Sequence, residues 1–278
     1  VDLVISSRVP MGAGLSSSAA LEVAVAEVLA AATELPMAPV ELALLAHRAE
    51  TEFVGVPCGI MDQFISTLGL DGNALLIDCR TRDYQPVPLE FEKQGLSLVV
   101  VDSGVGRKLA ASAYAERRSQ CDQAVSLISQ SVSKKITNLR DVAEAELLSR
   151  RYNLPPVFFK RANHVVSENV RVLKCVDALR SRRYDEVGSL LTESHRSLKE
   201  NFEVSSPELD LLVELALRTK GVLGARLTGA GFGGCTVNLV EASSIETFRQ
   251  IVLSEYREKT GKTSRLYVCR ASNGARLI

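Results

Sequence analysis

The chain has 278 residues, of which 46% are hydrophobic, 24% charged and 5% aromatic, and its 33 basic residues balance 33 acidic ones. That composition indicates a soluble globular protein of one or two domains, and the zero net charge excludes the uniformly positive surface typical of proteins that bind nucleic acid or anionic membranes. No run approaches the roughly 20 apolar residues that cross a bilayer, so we expect neither a nucleic-acid nor a membrane partner.

The first part of the chain, to about residue 103, alternates strand and helix patterns. Runs of β-branched residues predict strands, and apolar residues three or four positions apart predict helices. Pro39 suits the first turn of a helix, and the glycine-containing segment 55–59 ends that helix. The expected elements are a strand over 1–9, helices over 16–32, 40–53 and 60–68, and strands over 74–78 and 96–102.

The second part is mostly helical in pattern and closes with strands around one more helix. The expected helices span 109–128, 139–150, 157–180, 184–201 and 208–219. A strand over 225–228, a glycine-rich turn, a strand over 235–240, a helix over 245–259 and a strand over 266–270 follow. This order predicts a second α+β layer.

Cysteine and histidine are scattered along the chain. The six cysteines form no close pairs of the kind found in zinc or redox motifs, so we expect reduced thiols. The start of the chain does not resemble a signal peptide, and we expect a cytoplasmic protein. The three histidines are equally dispersed, which argues against an imidazole metal site, and a structural role is expected for His164 and His195.

The strongest functional signal is the segment 10–20, with the sequence PMGAGLSSSAA, between the first strand and the first helix. Glycines let the backbone approach a ligand closely, and a helix N-terminus presents unpaired N–H groups to negative charge. The serine hydroxyls can bind phosphate oxygens, ligate Mg²⁺ or cap the helix. The segment therefore predicts a phosphate-binding loop, with an ordinary capped helix as the alternative.

A second glycine-rich segment, residues 229–234, has the spacing of a dinucleotide-binding turn. Such a turn must open a helix, whereas this one precedes a strand, so the dinucleotide interpretation is excluded. Two explanations of this glycine content remain. The backbone could approach a ligand or the first loop closely, or the segment could form a tight hairpin.

Two acidic residues lie near the break between the second and third helices. Asp62 follows Pro57 and Gly59, where chain geometry rather than helix propensity is specified, and Glu50 lies on the preceding helix. In phosphoryl transfer, carboxylates ligate Mg²⁺ or accept the proton of the attacking hydroxyl. The alternatives are a charge at a helix N-terminus for Asp62 and a solvated helix face for Glu50.

Together these segments resemble the motifs of the GHMP small-molecule kinases, and in particular a sugar-kinase branch of that family. The resemblance rests on residues 10–20, on Glu50 with residues 58–64, and on residues 227–235. It extends over essentially the whole chain. Further matching features are residues 101–107, 164–169 and 193–198, with Tyr114, Arg117, Arg118 and Cys121.

The resemblance implies ATP-dependent phosphorylation of D-galactose at C1, with Mg²⁺ as cofactor. Asp62 would accept the proton of the anomeric hydroxyl, and Ser18 and Glu50 would bind Mg²⁺. Gly59, Asp62 and Tyr114 would contact the sugar. The glycine turn 229–234 would close over the phosphates. The residues implied to hold the ATP phosphates are Gly12, Ala13, Gly14, Leu15, Ser16, Ser17 and Ser18.

The implied fold is the α+β GHMP kinase fold, with two α+β domains and the active site between them. Residues 1–103 would be the remainder of the N-terminal, ATP-binding domain and residues 104–278 the C-terminal domain. The chain opens on Val1 and contains no segment of the type RVNLIGEH, the family's N-terminal sugar-binding signature. We therefore expect the first part of the N-terminal domain to be missing and galactose to bind weakly to this chain alone. The expected state is a monomer.

Two alternative functions follow from the same residues. A kinase for N-acetylgalactosamine or another sugar is the first, because residues that discriminate the substituent at C2 would lie in the missing signature. A non-catalytic galactose and ATP sensor that binds a regulatory protein is the second. Loss of the serine loop or of Asp62 would favour the sensor, and both are intact.

Overall fold

The structure is a computed structural model that describes residues 2–106 and 110–277. It divides into two compact units, one formed by the chain up to residue 90 together with the segment from residue 270, the other by residues 91–269. Val1 of the predicted first strand, Arg107, and Leu109 at the start of a predicted helix lie outside the described residues.

Three helices form the centre of the first unit: α1 (Ser17–Ala32), α2 (Pro39–Arg48) and α3 (Met61–Leu68). Val23, Leu42 and Ala46 pack together in its core. The Glu41 carboxylate accepts a bond from the Ala38 N–H at 3.1 Å, which fixes the start of α2. After Arg48 the chain continues as a π-helical turn, Ala49–Val54, so the predicted helix 40–53 is composed of two kinds of helix.

A hairpin of β1 (Asn73–Ile77) and β2 (Tyr84–Pro88) completes the elements of this unit. Strand β2 was not predicted. It contains Pro86 and Pro88, and proline is tolerated in a strand with a free edge. The predicted strand over residues 1–9 is wrong for the part that is described. Residues 2–9 take part in none of the described strand pairings, and β-branched composition alone does not make a ladder.

The C-terminal segment belongs to the first unit. The N–H groups of Gly274 and Ala275 donate to the carbonyls of Gly69 and Ser66, each at 2.8 Å. Ala275 packs against the core of helices α1 and α2. A Cβ on Gly274 would lie 2.3 Å from the carbonyl oxygen of Thr67, so glycine is needed at this close approach.

The second unit is built on a four-stranded antiparallel sheet with the order β4-β5-β3-β6. Its strands are β3 (Leu96–Asp102), β4 (Val222–Leu227), β5 (Cys235–Glu241) and β6 (Arg265–Cys269). The predicted division at residues 103 and 104 would assign β3 to the first domain, whereas β3 pairs with β5 and β6 here. The assignment of the family's domains to 1–103 and 104–278 stays a prediction.

Helices cover this sheet and extend from it. They are α4 (Ala110–Ser129), α5 (Glu144–Ser149), α6 (Pro156–Arg180), α7 (Tyr184–Ser197), α8 (Pro207–Arg218) and α9 (Ile245–Thr260). Side chains of α8 and α9, among them Leu212 and Phe248, pack with Val99 and Val101 of β3. The predicted helix 139–150 is interrupted: a short 3₁₀ turn, Leu139–Asp141, is followed by Val142 and Ala143 in extended conformation before α5 begins.

Helix α7 continues as a second π-helical turn, Leu198–Phe202, which ends at Glu203 in a left-handed conformation with φ of 56°.

The six cysteines are free thiols. Across the described residues, no helix combines the length and apolar composition needed to cross a membrane.

Helix α7 lies directly against β4 at two glycines, and we expect Gly224→Ala to destabilise the protein. The added Cβ would lie 2.0 Å from the carbonyl oxygen of Gly188, so backbone must move. Overpacking of this kind costs about 1–3 kcal/mol of unfolding free energy. Urea unfolding measures the change, with Gly106→Ala as control, since a Cβ there meets nothing within 4 Å. Equal unfolding midpoints for the two variants would contradict the prediction.

Candidate functional site

The serine loop, residues 10–18, has a backbone shaped for close approach. Gly12, Gly14 and Ser16 all have positive φ, of 75°, 74° and 57°. Ser16 is the N-cap residue of α1, yet its side chain makes no capping hydrogen bond, and Ser18 in the first turn is exposed. The alternative of a helix capped by its N-cap serine is therefore wrong at Ser16. The first-turn N–H groups suit an anion instead.

Glu50 lies in the π-helical turn Ala49–Val54, where one extra residue per turn changes the direction of its side chain. The residue is only 9% exposed, and its Oε2 atom finds no hydrogen-bond partner among the described residues. A buried carboxylate oxygen without a donor is costly. This excludes the predicted alternative of a solvated helix face and indicates a position that a cation would stabilise.

Glu22 and Gln63 form a side-chain cluster with Glu50. Neither residue was predicted as part of the site. Gln63 is 1% exposed and donates from Nε2 to Oε2 of Glu22 at 3.1 Å. Burial and a hydrogen bond to Glu50 raise the pKa of Glu22 to about 7. Glu22 lies four residues after Ser18 on α1, on the same face of that helix. That spacing is the signal that could have found it.

Asp62 and Cys58 lie beside the same cluster. Burial raises the pKa of the Cys58 thiol, and the charges of Glu50, Asp62 and Glu22 raise it further. Asp62 is partly buried in the first turn of α3. Glu50 and Asp62, both predicted site residues, thus lie close enough to Cys58 for their charges to act on its thiol. His47 Nε2 bonds to the carbonyl oxygen of Cys58 at 3.1 Å and anchors the segment between α2 and α3.

Gly59 lies in the same segment, and the space around it is open. A Cβ at Gly59 would meet nothing within 4 Å. The predicted sugar contact at this glycine therefore has room for a ligand. Tyr114, the other predicted sugar contact, belongs to the second unit, where it is partly buried on α4.

The glycine turn, residues 229–234, joins the antiparallel strands β4 and β5, so the hairpin interpretation holds. Its glycines are also required by close backbone approach. A Cβ on Gly231 would lie 2.1 Å from the carbonyl oxygen of Val204, and one on Gly233 would lie 2.7 Å from that of Val105. In the described unit, the glycine turn therefore lies close to neighbouring backbone, at Val204 and Val105.

His164 and His195 have structural surroundings, in line with the expectation. His164 Nδ1 bonds to Ser197 Oγ at 2.9 Å, and burial lowers the pKa of His164 to about 4, so the ring is neutral at neutral pH. His195 Nδ1 accepts the N–H of Leu227 at 3.3 Å, and its Nε2 faces Asp210 at 3.3 Å. These contacts hold helix α7 to β4 and α8.

The carboxyl pair of Glu22 and Glu50 predicts a pH-dependent stability. Folding raises the pKa of Glu22 from 4.5 to about 7. Protonated Glu22 therefore stabilises the folded protein fully below pH 4.5, and this contribution is lost as the pH rises through about 7. Glu22→Gln keeps the shape of the side chain without the proton. We expect its melting temperature to match wild type at pH 5 and to exceed it at pH 8 in EDTA. Glu27→Gln, on the same helix, controls for the lost charge, and equal differences at both pH values would contradict the prediction.

Comparison with known proteins places the chain in a family. The sequence model described as "GHMP kinases N terminal domain" matches residues 1–70, and that described as "GHMP kinases C terminal" matches residues 175–258. A galactokinase from Roseiflexus sp. (strain RS-1) is 51% identical over 98% of this chain and 69% of its own length. One from Chloroflexus aggregans is 47% identical over 100% of this chain and 70% of its own length.

A solved structure gives the same result. The crystal structure of Lactococcus lactis galactokinase complexed with galactose superposes with a TM-score of 0.91 at 35% identity, covering 96% of this chain and 68% of that one. The chain belongs to the galactokinase family of the GHMP kinases.

Proposed function

We propose that this chain transfers the γ-phosphoryl group of ATP to the C1 hydroxyl of D-galactose. The observation that carries the proposal is 51% identity to a galactokinase over 98% of the chain. The site supports it, because one unit holds a helix start without a side-chain cap at Ser16, an exposed Ser18, and the carboxylates of Glu50 and Asp62 around Cys58. Such a pair of features suits a phosphate donor and a hydroxyl acceptor.

Mg²⁺ is the proposed cofactor, and the residues present fit it. Oε2 of Glu50 is buried without a partner, and Ser18 carries an exposed hydroxyl on the face of α1 that also holds Glu22. Among residues 2–106 and 110–277, no set of three His, Cys, Asp or Glu side chains is arranged to hold a metal ion. Mg²⁺ commonly binds through one or two carboxylates plus substrate phosphates, which agrees with such a sparse site. When bound, it would neutralise charge on the phosphate oxygens.

The residues of this chain have distinct proposed tasks. Backbone N–H groups at the start of α1 bind phosphate oxygens, which explains why the loop contains no lysine. Asp62 accepts the proton of the C1 hydroxyl as that oxygen attacks phosphorus. Gly59 and Tyr114 contact the sugar and orient its hydroxyl. Most of the rate enhancement then comes from positioning and from electrostatic stabilisation of the phosphoryl group.

The test is ADP formation by the purified protein with Mg²⁺, ATP and each of several sugars. Dependence on galactose, with galactose 1-phosphate as the product, supports the proposal. Turnover with N-acetylgalactosamine but not galactose would instead support the alternative sugar kinase. Binding of galactose and ATP without turnover would support the sensor.

Two further properties are proposals of the same kind. The six free thiols suit a reducing compartment, and we place the protein in the cytoplasm. We also propose a monomer. Light scattering after size exclusion tests the second point, because a mass twice that of the 30.1 kDa chain would contradict it.

A further inference from the structure

Three successive backbone carbonyls at the end of the turn Leu198–Phe202 accept bonds from two arginines. Arg161 Nη1 donates to the carbonyl oxygen of Asn201 at 2.5 Å. Arg117 Nε donates to that of Phe202 at 2.8 Å, and its Nη2 donates to that of Glu203 at 3.1 Å. These carbonyls have left the helix and lack its internal donors, so the guanidinium groups satisfy oxygens that would otherwise be unpaired.

Arg161 is itself fixed by polar side chains on two sides. The Arg161 side chain is 3% exposed and donates from Nη2 to Oε2 of Glu203 at 2.7 Å. Its Nε donates to Oε1 of Gln120, on α4, at 2.7 Å. The Arg117 side chain, also on α4, is 13% exposed. The carbonyls of residues 201–203 are therefore held by one buried arginine from helix α6 and one partly buried arginine from helix α4.

The same segment is the support of the glycine turn 229–234. The Phe232 N–H donates to the carbonyl oxygen of Val204 at 2.7 Å. The Cβ position of Gly231 is blocked by that same carbonyl oxygen. Phe202 and Phe232 pack on one apolar cluster, whose buried members are Leu198, Val204, Leu209 and Leu227. A displacement of residues 201–204 must therefore displace the glycine turn.

We propose that Arg117 is a positioning residue for nucleotide binding. Its guanidinium group donates hydrogen bonds to the carbonyls of both Phe202 and Glu203, and these bonds hold the segment that supports the glycine turn. The proposal rests on the proposed function in one respect, that this turn contributes to the ATP site. Arginine is required because its planar group reaches two oxygens at once, whereas a lysine ammonium is a single point charge. Tyr114 lies one turn earlier on the same helix.

The test compares Arg117→Lys with Arg118→Lys in the full chain. Arg118 is the matched control, since its side chain is 65% exposed and pairs with Asp122 one turn along α4. Hydrogen exchange measures the Phe232 amide and the peptide around it, and calorimetry measures the dissociation constant of MgATP without sugar. Loss of one charge-assisted hydrogen bond corresponds to about a tenfold change, which we expect in both quantities for Arg117→Lys. Arg118→Lys should retain the wild-type values.

Thermal unfolding separates this role from a purely structural one. A folded Arg117→Lys variant with wild-type exchange at Phe232, or with loosened exchange but wild-type MgATP affinity, overturns the proposal. Where this variant does not fold, Glu203→Gln replaces it, because it weakens the hold of Arg161 on the same segment at a side chain that is 41% exposed. Its exchange and MgATP affinity should change in the same direction, and unchanged values overturn the proposal. A wild-type protein that binds MgATP without galactose-dependent turnover contradicts the proposed function and leaves both measurements valid.

Discussion

Asp62→Asn is expected to lower kcat by about 10²–10⁴-fold, the usual contribution of a general base, while MgATP still binds. The amide has nearly the shape of the carboxylate but cannot accept the proton of the sugar hydroxyl. Asp62 lies in the first turn of α3, close enough to Cys58 for its charge to raise the pKa of that thiol, and its side chain is partly accessible. Initial-rate kinetics with galactose and ATP measure the effect, together with MgATP binding by calorimetry.

The control for Asp62→Asn is Asp71→Asn, an exposed carboxylate of the same unit whose backbone N–H bonds to Asn273. We expect that variant to keep the wild-type kcat. An Asp62→Asn variant that retains most of the wild-type turnover would remove Asp62 from the mechanism. Equal losses in both variants would indicate damage to the fold of the unit, and melting temperatures decide that point.

Glu50→Gln should raise the Mg²⁺ concentration needed for half-maximal activity by at least about tenfold, because even changes in the outer shell of a metal site cost about 10–100-fold in affinity. The substitution removes the charge at Oε2, the buried oxygen without a partner. It also removes the carboxylate that shares a hydrogen bond with Glu22, so the pKa of Glu22 should fall toward 4.5. A Mg²⁺ titration of activity at saturating ATP measures the first effect, and an unchanged titration would exclude Glu50 as a ligand.

Ser18→Ala separates metal binding from helix capping at the other proposed ligand. If Ser18 binds Mg²⁺, the titration of activity shifts to higher concentration as it does for Glu50→Gln. If Ser18 merely stabilises the start of α1, its loss costs about 0.5–2 kcal/mol of unfolding free energy and leaves the titration unmoved. Urea unfolding and the Mg²⁺ titration on one sample distinguish the two results.

The sequence predicts most helices and the central strands well, because their periodicity is local. The serine loop is equally local, since glycine and serine identities constrain the backbone within a few residues. The π-helical turns at Ala49–Val54 and Leu198–Phe202 were predicted as α-helix. A π-helical turn contains one more residue per hydrogen-bonded turn than an α-helix. A segment this short does not reveal that difference in the periodicity of its side chains.

The side-chain contacts that were not predicted join residues across long separations. Gln63 meets Glu22 across 41 residues, and Arg117 meets Glu203 across 86. No local pattern specifies such a pair, because each partner is an ordinary polar residue on its own helix. The strand predicted over residues 1–9 failed for a related reason. A strand needs a partner to form a ladder, and its own composition supplies only a preference.

The return of residues 270–277 to the first unit has a consequence for synthesis of the protein. The segment bonds to residues 66–72 across about 200 positions, for example from the Asp71 N–H to Asn273 Oδ1 over a separation of 202 residues. Closing so long a loop is entropically unfavourable, although the cost grows only with the logarithm of its length. Emerging from the ribosome, the chain can fold its second unit as an uninterrupted block. The unit that carries the serine loop acquires its full set of backbone hydrogen bonds only after residue 275 has been added.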